Sequence, residues 1–137
     1  MISNKCQYAL KALLELAKRE GSGPATIVDI AAAQAIPPRF LEAILREMKQ
    51  AGFTESIRGK KGGYALAMPA HRITVGAVVR LMEGPFFLEA DADPDVFQPV
   101  WQKANEALNI IFDGTHFADL AQRARQAAGP DFLDYSI

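Results

Sequence analysis

The residues best suited to specific chemistry in this 137-residue chain form two short basic groups. In the first, Arg39 and Arg46 flank the carboxylate of Glu42 at helical spacing. The second is the glycine-rich string Arg58-Gly59-Lys60-Lys61-Gly62-Gly63. Arginine can donate to guanine, glutamate can accept from cytosine N4, and cations on a loop can contact phosphates. The two groups together indicate binding to a polyanion, with side chains able to read DNA bases.

The charge distribution supports a polyanion partner for the N-terminal half of the chain. Residues 1–72 contain 11 Lys or Arg against 6 Asp or Glu, whereas residues 73–137 contain 4 against 10. The net charge of -1 therefore hides a basic half and an acidic half. An uneven charge also occurs on faces that are merely solvated, so the interpretation depends on the elements that carry these residues.

Thiol and imidazole chemistry has little support in this sequence. Cys6 is the single cysteine, so it cannot close an internal disulfide or hold a cluster by itself. We expect Cys6 to be a small, partly buried residue at the start of a helix rather than a redox sensor. His71 and His116 lack acidic or thiol neighbours at ligand spacing, and we expect them to be structural or surface residues.

Neither a metal site nor an enzyme is predicted. The alternating acids Glu89, Asp91, Asp93 and Asp95 lack the glycine and the closing glutamate of an EF-hand loop, so we prefer a solvated loop. The chain has no nucleophile with a neighbouring base at catalytic spacing and no phosphate-binding P-loop. We expect neither enzymatic activity nor a cofactor.

Length and composition predict an ordinary globular domain. Half of the residues are hydrophobic and 23% are charged, so a core can form. The longest stretch without a charged residue is residues 62–71, far shorter than the roughly 18 apolar residues of a membrane span. The N-terminus also lacks the apolar core of a signal peptide. We expect a cytoplasmic protein.

The elements that carry the first basic group are predicted helices. An amphipathic helix covers about Asn4 to Arg19. Thr26 is a plausible N-cap for a short helix, Ile27 to Gln34, and Pro38 opens the next helix, which ends before Gly52. Two short helices joined by a tight turn are typical of a helix-turn-helix, although a plain helical hairpin has the same pattern. The second helix has an apolar stripe of Leu41, Ile44, Leu45 and Met48, and opposite it lie Arg39, Glu42, Ala43, Arg46 and Lys49.

The second basic group is predicted to be the tip of a β-hairpin. Residues 53–58 and 64–67 alternate in character and are rich in strand-forming residues, with the glycine-rich turn between them. A hairpin directly after a recognition helix is a wing, whose cations would reach the DNA backbone or a minor groove. The alternative is a solvated, lysine-rich turn.

The C-terminal half is predicted to contain three more helices. Thr74 caps a helix from Val75 to about Glu83, an acidic linker covers residues 85–97, and a longer helix covers about Gln98 to Phe112. Thr115 is expected to cap a last helix to about Ala128, followed by a tail over 129–137. The apolar seam of the longer helix predicts a dimerisation helix, although it could also pack on its own domain. The seam consists of Phe97, Val100, Trp101, Ala104, Leu108, Ile111 and Phe112.

The wing string from Arg58 to Leu66 and the downstream Leu81-Met82-Glu83-Gly84-Pro85 resemble the Rrf2 family of bacterial winged-helix transcription regulators, and the resemblance spans nearly the whole chain. It also covers Ile36-Pro37-Pro38-Arg39-Phe40-Leu41-Glu42 and the tyrosine at Tyr8. The resemblance implies a mainly α (α+β) protein with a winged helix-turn-helix DNA-binding domain over 1–84 and a C-terminal dimerisation helix. It further implies a homodimer that represses or activates at a palindromic operator.

The expected DNA contacts divide into base reading and positioning. Arg39, Arg46 and Glu42 would read base edges from the recognition helix. The resemblance places the N-terminal residues Ser3, Asn4 and Lys5 near phosphates. A protein-interaction adaptor with little DNA affinity is the alternative, because Ala65 stands where many relatives carry a basic residue. The complete expected set is Ser3, Asn4, Lys5, Thr26, Pro38, Arg39, Phe40, Glu42, Arg46, Arg58, Lys60 and Lys61.

The chain departs from cluster-binding members of the family at a specific place. Those members carry three cysteines between the Glu-Gly-Pro and the dimer helix, and residues 86–98 contain none. We therefore predict no iron–sulfur cluster, which makes the chain most similar to the cluster-free CymR type.

Regulators of the CymR type act in complex with O-acetylserine sulfhydrylase, an enzyme that accepts the C-terminal isoleucine of another protein. The tail Tyr135-Ser136-Ile137 fits such an interaction, although an ordinary frayed terminus is the alternative. Without that partner, the signal would be a small molecule or oxidation of Cys6.

Overall fold

The computed structural model describes residues 2–85 and 95–135, and side chains within these ranges as far as residue 128. The helices are α1 (Asn4–Lys18), α2 (Ile27–Gln34), α3 (Pro38–Gln50), α4 (Val75–Glu83), α5 (Gln98–Asp113) and α6 (Phe117–Tyr135). A hairpin of β1 (Thr54–Ile57) and β2 (Gly63–Leu66) follows α3, and a 3-10 turn (Ala70–Arg72) precedes α4. This order confirms the predicted winged helix-turn-helix. None of the described helices is long and apolar enough to cross a lipid bilayer.

Side-chain caps mark where α2 and α4 begin. The Thr26 hydroxyl accepts from the Asp29 amide, and the Asp29 carboxylate accepts from the Thr26 amide, which forms a complete capping box. The Thr74 hydroxyl caps α4 by accepting from the Ala77 amide. The predicted caps at Thr26 and Thr74 are confirmed. The sequence could predict them because each capping residue and its partner lie within four consecutive residues.

The helix-turn-helix is held by a buried apolar face on α3 and by a carboxylate between α1 and α2. The predicted stripe of Leu41, Ile44, Leu45 and Met48 is buried. Glu15 of α1 is also buried, and it accepts hydrogen bonds from Arg19 at 2.6 Å and from Gln34 of α2 at 3.0 Å. Burial would raise the pKa of the Glu15 carboxyl, but these hydrogen bonds and the nearby cations hold the pKa below its ordinary value.

The wing is attached firmly to the body of the domain. Its strands are antiparallel, with Thr54 opposite Leu66 and Ile57 opposite Gly63. The Ala25 amide donates to the Tyr64 carbonyl at 2.9 Å, and the Tyr64 amide donates to the Ala25 carbonyl at 2.7 Å. Gly63 has φ of 147°, and a Cβ there would lie 2.4 Å from the Ala25 carbonyl oxygen. This close approach requires glycine.

The last helix contributes to the core of the N-terminal half. Phe117 and Ala121 of α6 are buried in the same cluster as Leu13 of α1. Arg125 of α6 donates to the Lys18 carbonyl at 2.8 Å, at the C-terminal end of α1. A guanidinium there satisfies a carbonyl that the helix itself leaves open and complements the helix dipole.

Two expected boundaries of α6 were wrong. Thr115 does not cap it, because the Thr115 hydroxyl donates back to the Ile111 carbonyl of α5 at 2.7 Å, and α6 begins at Phe117. The helical backbone also continues through Gly129 and Pro130 to Tyr135, past the end predicted at Ala128. A proline deletes one amide donor and disfavours helix, but the residues on either side can keep their own helical hydrogen bonds.

Candidate nucleic-acid interface

The N-terminal part of α3 presents the expected base-reading residues to solvent. Pro38, Arg39, Glu42 and Arg46 are all exposed. The Arg46 guanidinium donates to the Glu42 carboxylate at 3.1 Å, with the two side chains 63% and 67% exposed. Two of the three expected base readers, Glu42 and Arg46, thus pair with each other in the free protein. An ion pair this exposed contributes little to stability, so it can be exchanged for base contacts at small cost.

Phe40 is an exposed aromatic residue on the same surface. Its ring is 41% exposed and stacks on Tyr8 of α1, with ring centroids 5.7 Å apart at an interplanar angle of 19°. The Arg39 guanidinium carbon lies 4.8 Å from the Phe40 ring centroid. These side chains border a shallow groove of about 300 Å³ between α1 and α3. The groove is lined by Asn4, Lys5, Tyr8, Arg39, Phe40, Ala43 and Ile44.

Several residues expected at phosphates already have internal partners. The Ser3 backbone amide donates to the Glu83 carboxylate at 2.8 Å, and the Ser3 hydroxyl donates to the same carboxylate while it caps α1. These hydrogen bonds hold the pKa of the Glu83 carboxyl below its ordinary value. Lys5 forms an ion pair with Glu47 of α3 at 2.7 Å. Thr26 is exposed, but its hydroxyl accepts the capping hydrogen bond of α2.

The wing tip presents three basic side chains to solvent. Arg58, Lys60 and Lys61 are exposed, and none of them takes part in an ion pair among the described residues. Lys49 of α3 donates to the Ser56 hydroxyl of β1 at 2.8 Å, which ties the recognition helix to the wing. The structure therefore brings Asn4, Lys5, Arg39 and Phe40 to one groove and places the wing cations on a separate projection.

The interface contains two residues whose roles the sequence patterns did not predict. Tyr8 stacks on Phe40, and Lys49 contacts the wing. The only sequence signal for Tyr8 was the family resemblance, because nothing in a helical pattern reveals which residue of a later helix will pack on it. Lys49 belonged to the predicted polar face of α3, but its partner depended on the position of the hairpin.

The apolar seam of α5 divides into an exposed part and a half-buried part. Phe97, Val100 and Ile111 are 56%, 54% and 62% exposed, and Phe97 stacks on Trp101, which is 37% exposed. Ala104, Leu108 and Phe112 are half-buried against the chain itself. The predicted seam did not include two apolar residues with even larger exposed fractions, Val96 at 83% and Ile110 at 74%. No side chain of α5 is buried within the single chain.

Comparison with known proteins places the chain among transcriptional regulators. A family model described as "Rrf2: Iron-dependent Transcriptional regulator" matches residues 2–123. The chain is 36% identical over 124 residues to the HTH-type transcriptional regulator CymR of Bacillus subtilis (strain 168), which covers 88% of each protein.

Solved structures give the same result. One similar structure is that of CymR (YrzC), the global cysteine regulator of B. subtilis. It matches with a TM-score of 0.84 and 32% sequence identity, and the match covers 90% of this chain and 97% of the CymR chain. The structure of T. potens IscR matches with a TM-score of 0.81 and 31% sequence identity. This match covers 93% of this chain and 90% of the IscR chain.

The residues described here do not fit an iron site. Cys6 is fully buried, and burial, together with the charge of Glu83, raises the pKa of its thiol to about 11. Among the side chains described, those of residues 2–85 and 95–128, no three His, Cys, Asp or Glu residues are grouped as metal ligands. The whole sequence holds one cysteine, so the thiolates that a cluster needs are missing. The described residues therefore offer no ligand set for the iron named in the family description.

Proposed function

Because the chain belongs to the Rrf2 family of transcriptional regulators, we propose that it is a repressor that binds a palindromic DNA operator as a homodimer, without an iron–sulfur cluster. The observation that carries the proposal is the exposed N-terminal face of α3 with Arg39, Glu42 and Arg46. The wing that follows α3 carries cations that form no ion pair within the described part of the chain. Donors and acceptors for base edges and cations for phosphates are thus present on neighbouring elements.

The two copies of α3 enter successive major grooves, about 34 Å apart or a multiple of that distance. Arg39 and Arg46 donate to guanine, and Glu42 accepts from cytosine N4 once the exposed Glu42–Arg46 pair opens. The pair offers one donor and one acceptor at adjacent positions, which suits a G·C or C·G pair in the operator.

The remaining contacts position the protein on the duplex. Arg58, Lys60 and Lys61 contact backbone phosphates or an adjacent minor groove. Asn4 contacts a phosphate directly, and Lys5 does so when it exchanges Glu47 for the DNA backbone. Ser3 and Thr26 act through the helices that they cap, whose N-termini attract phosphates.

A pair of substitutions tests the division into reading and positioning residues. Arg39→Ala should cost about 1 to 3 kcal/mol on the operator and relax specificity at one base pair. Lys60→Ala should weaken binding to the operator and to a random duplex equally. It should also lower, by about one unit, the slope of the logarithm of the binding constant against the logarithm of the salt concentration.

Fluorescence anisotropy titrations at several salt concentrations would measure both effects. Identical behaviour of the two variants on both duplexes would contradict the division. Failure of the unaltered protein to bind any duplex would favour the adaptor alternative.

The regulated process is proposed to be cysteine or sulfur metabolism, through a complex with O-acetylserine sulfhydrylase. The support is similarity to CymR, titled a global cysteine regulator, and the terminal Tyr135-Ser136-Ile137. Tyr135 ends α6, whereas Ser136 and Ile137 lie outside the described residues. A free carboxylate beside an apolar side chain imitates one end of an amino-acid substrate.

Calorimetric titration into O-acetylserine sulfhydrylase from the same organism tests this partner. The full chain should bind, a chain without Ile137 should not, and Ser136→Ala should bind nearly as well as the full chain. Absence of binding by the full chain would remove this partner and leave a small molecule or Cys6 oxidation as the signal.

A further inference from the structure

Phe40 is a large aromatic residue at the exposed N-terminal end of α3. It is the third residue of α3 and is 41% exposed, with Tyr8 and Arg39 against its ring. The groove that it borders is also lined by Asn4, Lys5 and Arg39, all of which carry hydrogen-bond donors for DNA. The ring therefore faces the same surface as the expected phosphate and base contacts.

The Phe40 ring is held in place from the side of the protein. Tyr8 of α1 stacks on it, with the ring centroids 5.7 Å apart and an interplanar angle of 19°. The Arg39 guanidinium also contacts the ring, 4.8 Å from its centroid. A stacked aromatic ring with only two side-chain torsions loses little conformational entropy on binding, so its exposed part is a preorganised apolar contact.

The major groove of DNA offers one apolar group for such a contact. Donors and acceptors line the edges of all four base pairs, and the 5-methyl group of thymine is the apolar exception. Asn4, Lys5 and Arg39 carry donors for the polar groups of DNA, whereas the exposed part of the Phe40 ring gains most by covering a methyl group.

We propose that Phe40 reads the 5-methyl group of a thymine at one fixed position in each half-site, with Tyr8 as the positioning residue that holds the ring. Arg39, held against the ring, donates to a base next to that thymine. The inference rests on the proposed function and adds to it the identity of one base and the role of Tyr8.

The test begins with selection of bound sequences from a randomised duplex pool. In the selected duplex, each thymine of one half-site is then replaced by deoxyuridine, which removes only the methyl group. Affinity of the wild-type chain should fall about fourfold at one position, the factor expected for burial of a single methyl group. Replacement in both half-sites should multiply the two losses to about sixteenfold.

Variants assign the effect to the aromatic pair. Phe40→Ala should bind the thymine and deoxyuridine duplexes equally well. The ratio of affinities for the thymine and deoxyuridine duplexes should fall from fourfold to less than about twofold in Tyr8→Leu. Tyr8→Phe keeps the aromatic stack and should preserve the fourfold ratio. Lys60→Ala is the matched control, because it should weaken both duplexes and leave the ratio unchanged. Thermal unfolding of each variant verifies that it is folded.

The outcomes separate this inference from the function on which it rests. If no sequence is enriched from the pool, the proposed function fails and the inference fails with it. If a sequence is enriched but no deoxyuridine lowers the affinity, the function stands and the methyl reading is overturned. Retention of the fourfold ratio by Phe40→Ala would overturn it as well.

Discussion

Arg80 of α4 and Asp113 at the end of α5 form a bidentate ion pair. The Nη1–Oδ1 distance is 2.7 Å and the Nη2–Oδ2 distance is 2.9 Å, and Nη2 also donates to Asn109 at 3.0 Å. The hydrogen bond and charge of Arg80 hold the pKa of the Asp113 carboxyl below its ordinary value. A Cβ on Gly76 would lie 2.3 Å from the Asp113 Oδ1 atom, so glycine permits the close approach of the two helices. The pair therefore links α4, which follows the wing, to the C-terminal end of α5.

This ion pair is expected to set the spacing between half-sites. Arg80→Ala should lower the free energy of unfolding by no more than about 1 kcal/mol, because the two side chains are 38% and 49% exposed. Loss of this link between α4 and α5 should let the variant bind operators with spacers one or two base pairs longer or shorter than the preferred one. Affinities for a series of spacers would measure this, with Arg123→Ala on α6 as the control. Equal spacer discrimination by Arg80→Ala and the wild-type chain would contradict the prediction.

The exposed part of α5 is expected to form the dimer interface. Val100→Asp and Ile111→Asp should each raise the dimer dissociation constant at least about hundredfold, because a charge would be buried without a partner at an apolar interface. Sedimentation velocity over a range of concentrations would detect the monomer. Gln102→Asp introduces the same charge on another face of α5 and should leave association intact. A monomeric wild-type chain would refute the interface altogether.

The attachment of the wing is expected to depend on Gly63. Gly59 and Gly63 both have positive φ, at 114° and 147°, but only a Cβ on Gly63 would strike backbone atoms. Gly59→Ala should cost about 1 to 3 kcal/mol of backbone strain. Gly63→Ala should cost more than Gly59→Ala, because it must also break the Ala25–Tyr64 hydrogen bonds. Urea unfolding of the two variants measures the difference, and equal losses would show that the contact with Ala25 is unimportant.

The thiol of Cys6 is expected to be unreactive in the native protein. Its pKa is raised to about 11, first by burial and then by the charge of Glu83, so the protonated thiol dominates at neutral pH. Modification by Ellman's reagent at pH 7 should be slow, should accelerate as pH rises toward 11, and should become rapid in denaturant. Fast labelling of the folded protein at pH 7 would contradict this prediction and favour Cys6 oxidation over a small molecule as the alternative signal.

Helix positions could be predicted from the sequence because their signals are local. The starts of α2 and α4 follow from Thr26 and Thr74, whose caps involve only the next three residues. The buried stripe of α3 follows from its periodicity, and the wing from the glycine-rich turn between two alternating segments. The family resemblance extended these local predictions to the order of elements over most of the chain. Local signals failed at α6, where Thr115 turned back toward α5.

The partners of the functional side chains were decided by the tertiary structure. Ser3 meets Glu83 across 80 residues, and Arg80 meets Asp113 across 33. No periodicity or spacing rule connects residues so far apart, because their distance depends on how whole helices pack. The stacking of Tyr8 on Phe40 has the same origin. The sequence alone therefore determined which elements form and which residue types they expose, whereas packing between elements decided which of those side chains are already paired and which stand ready for DNA.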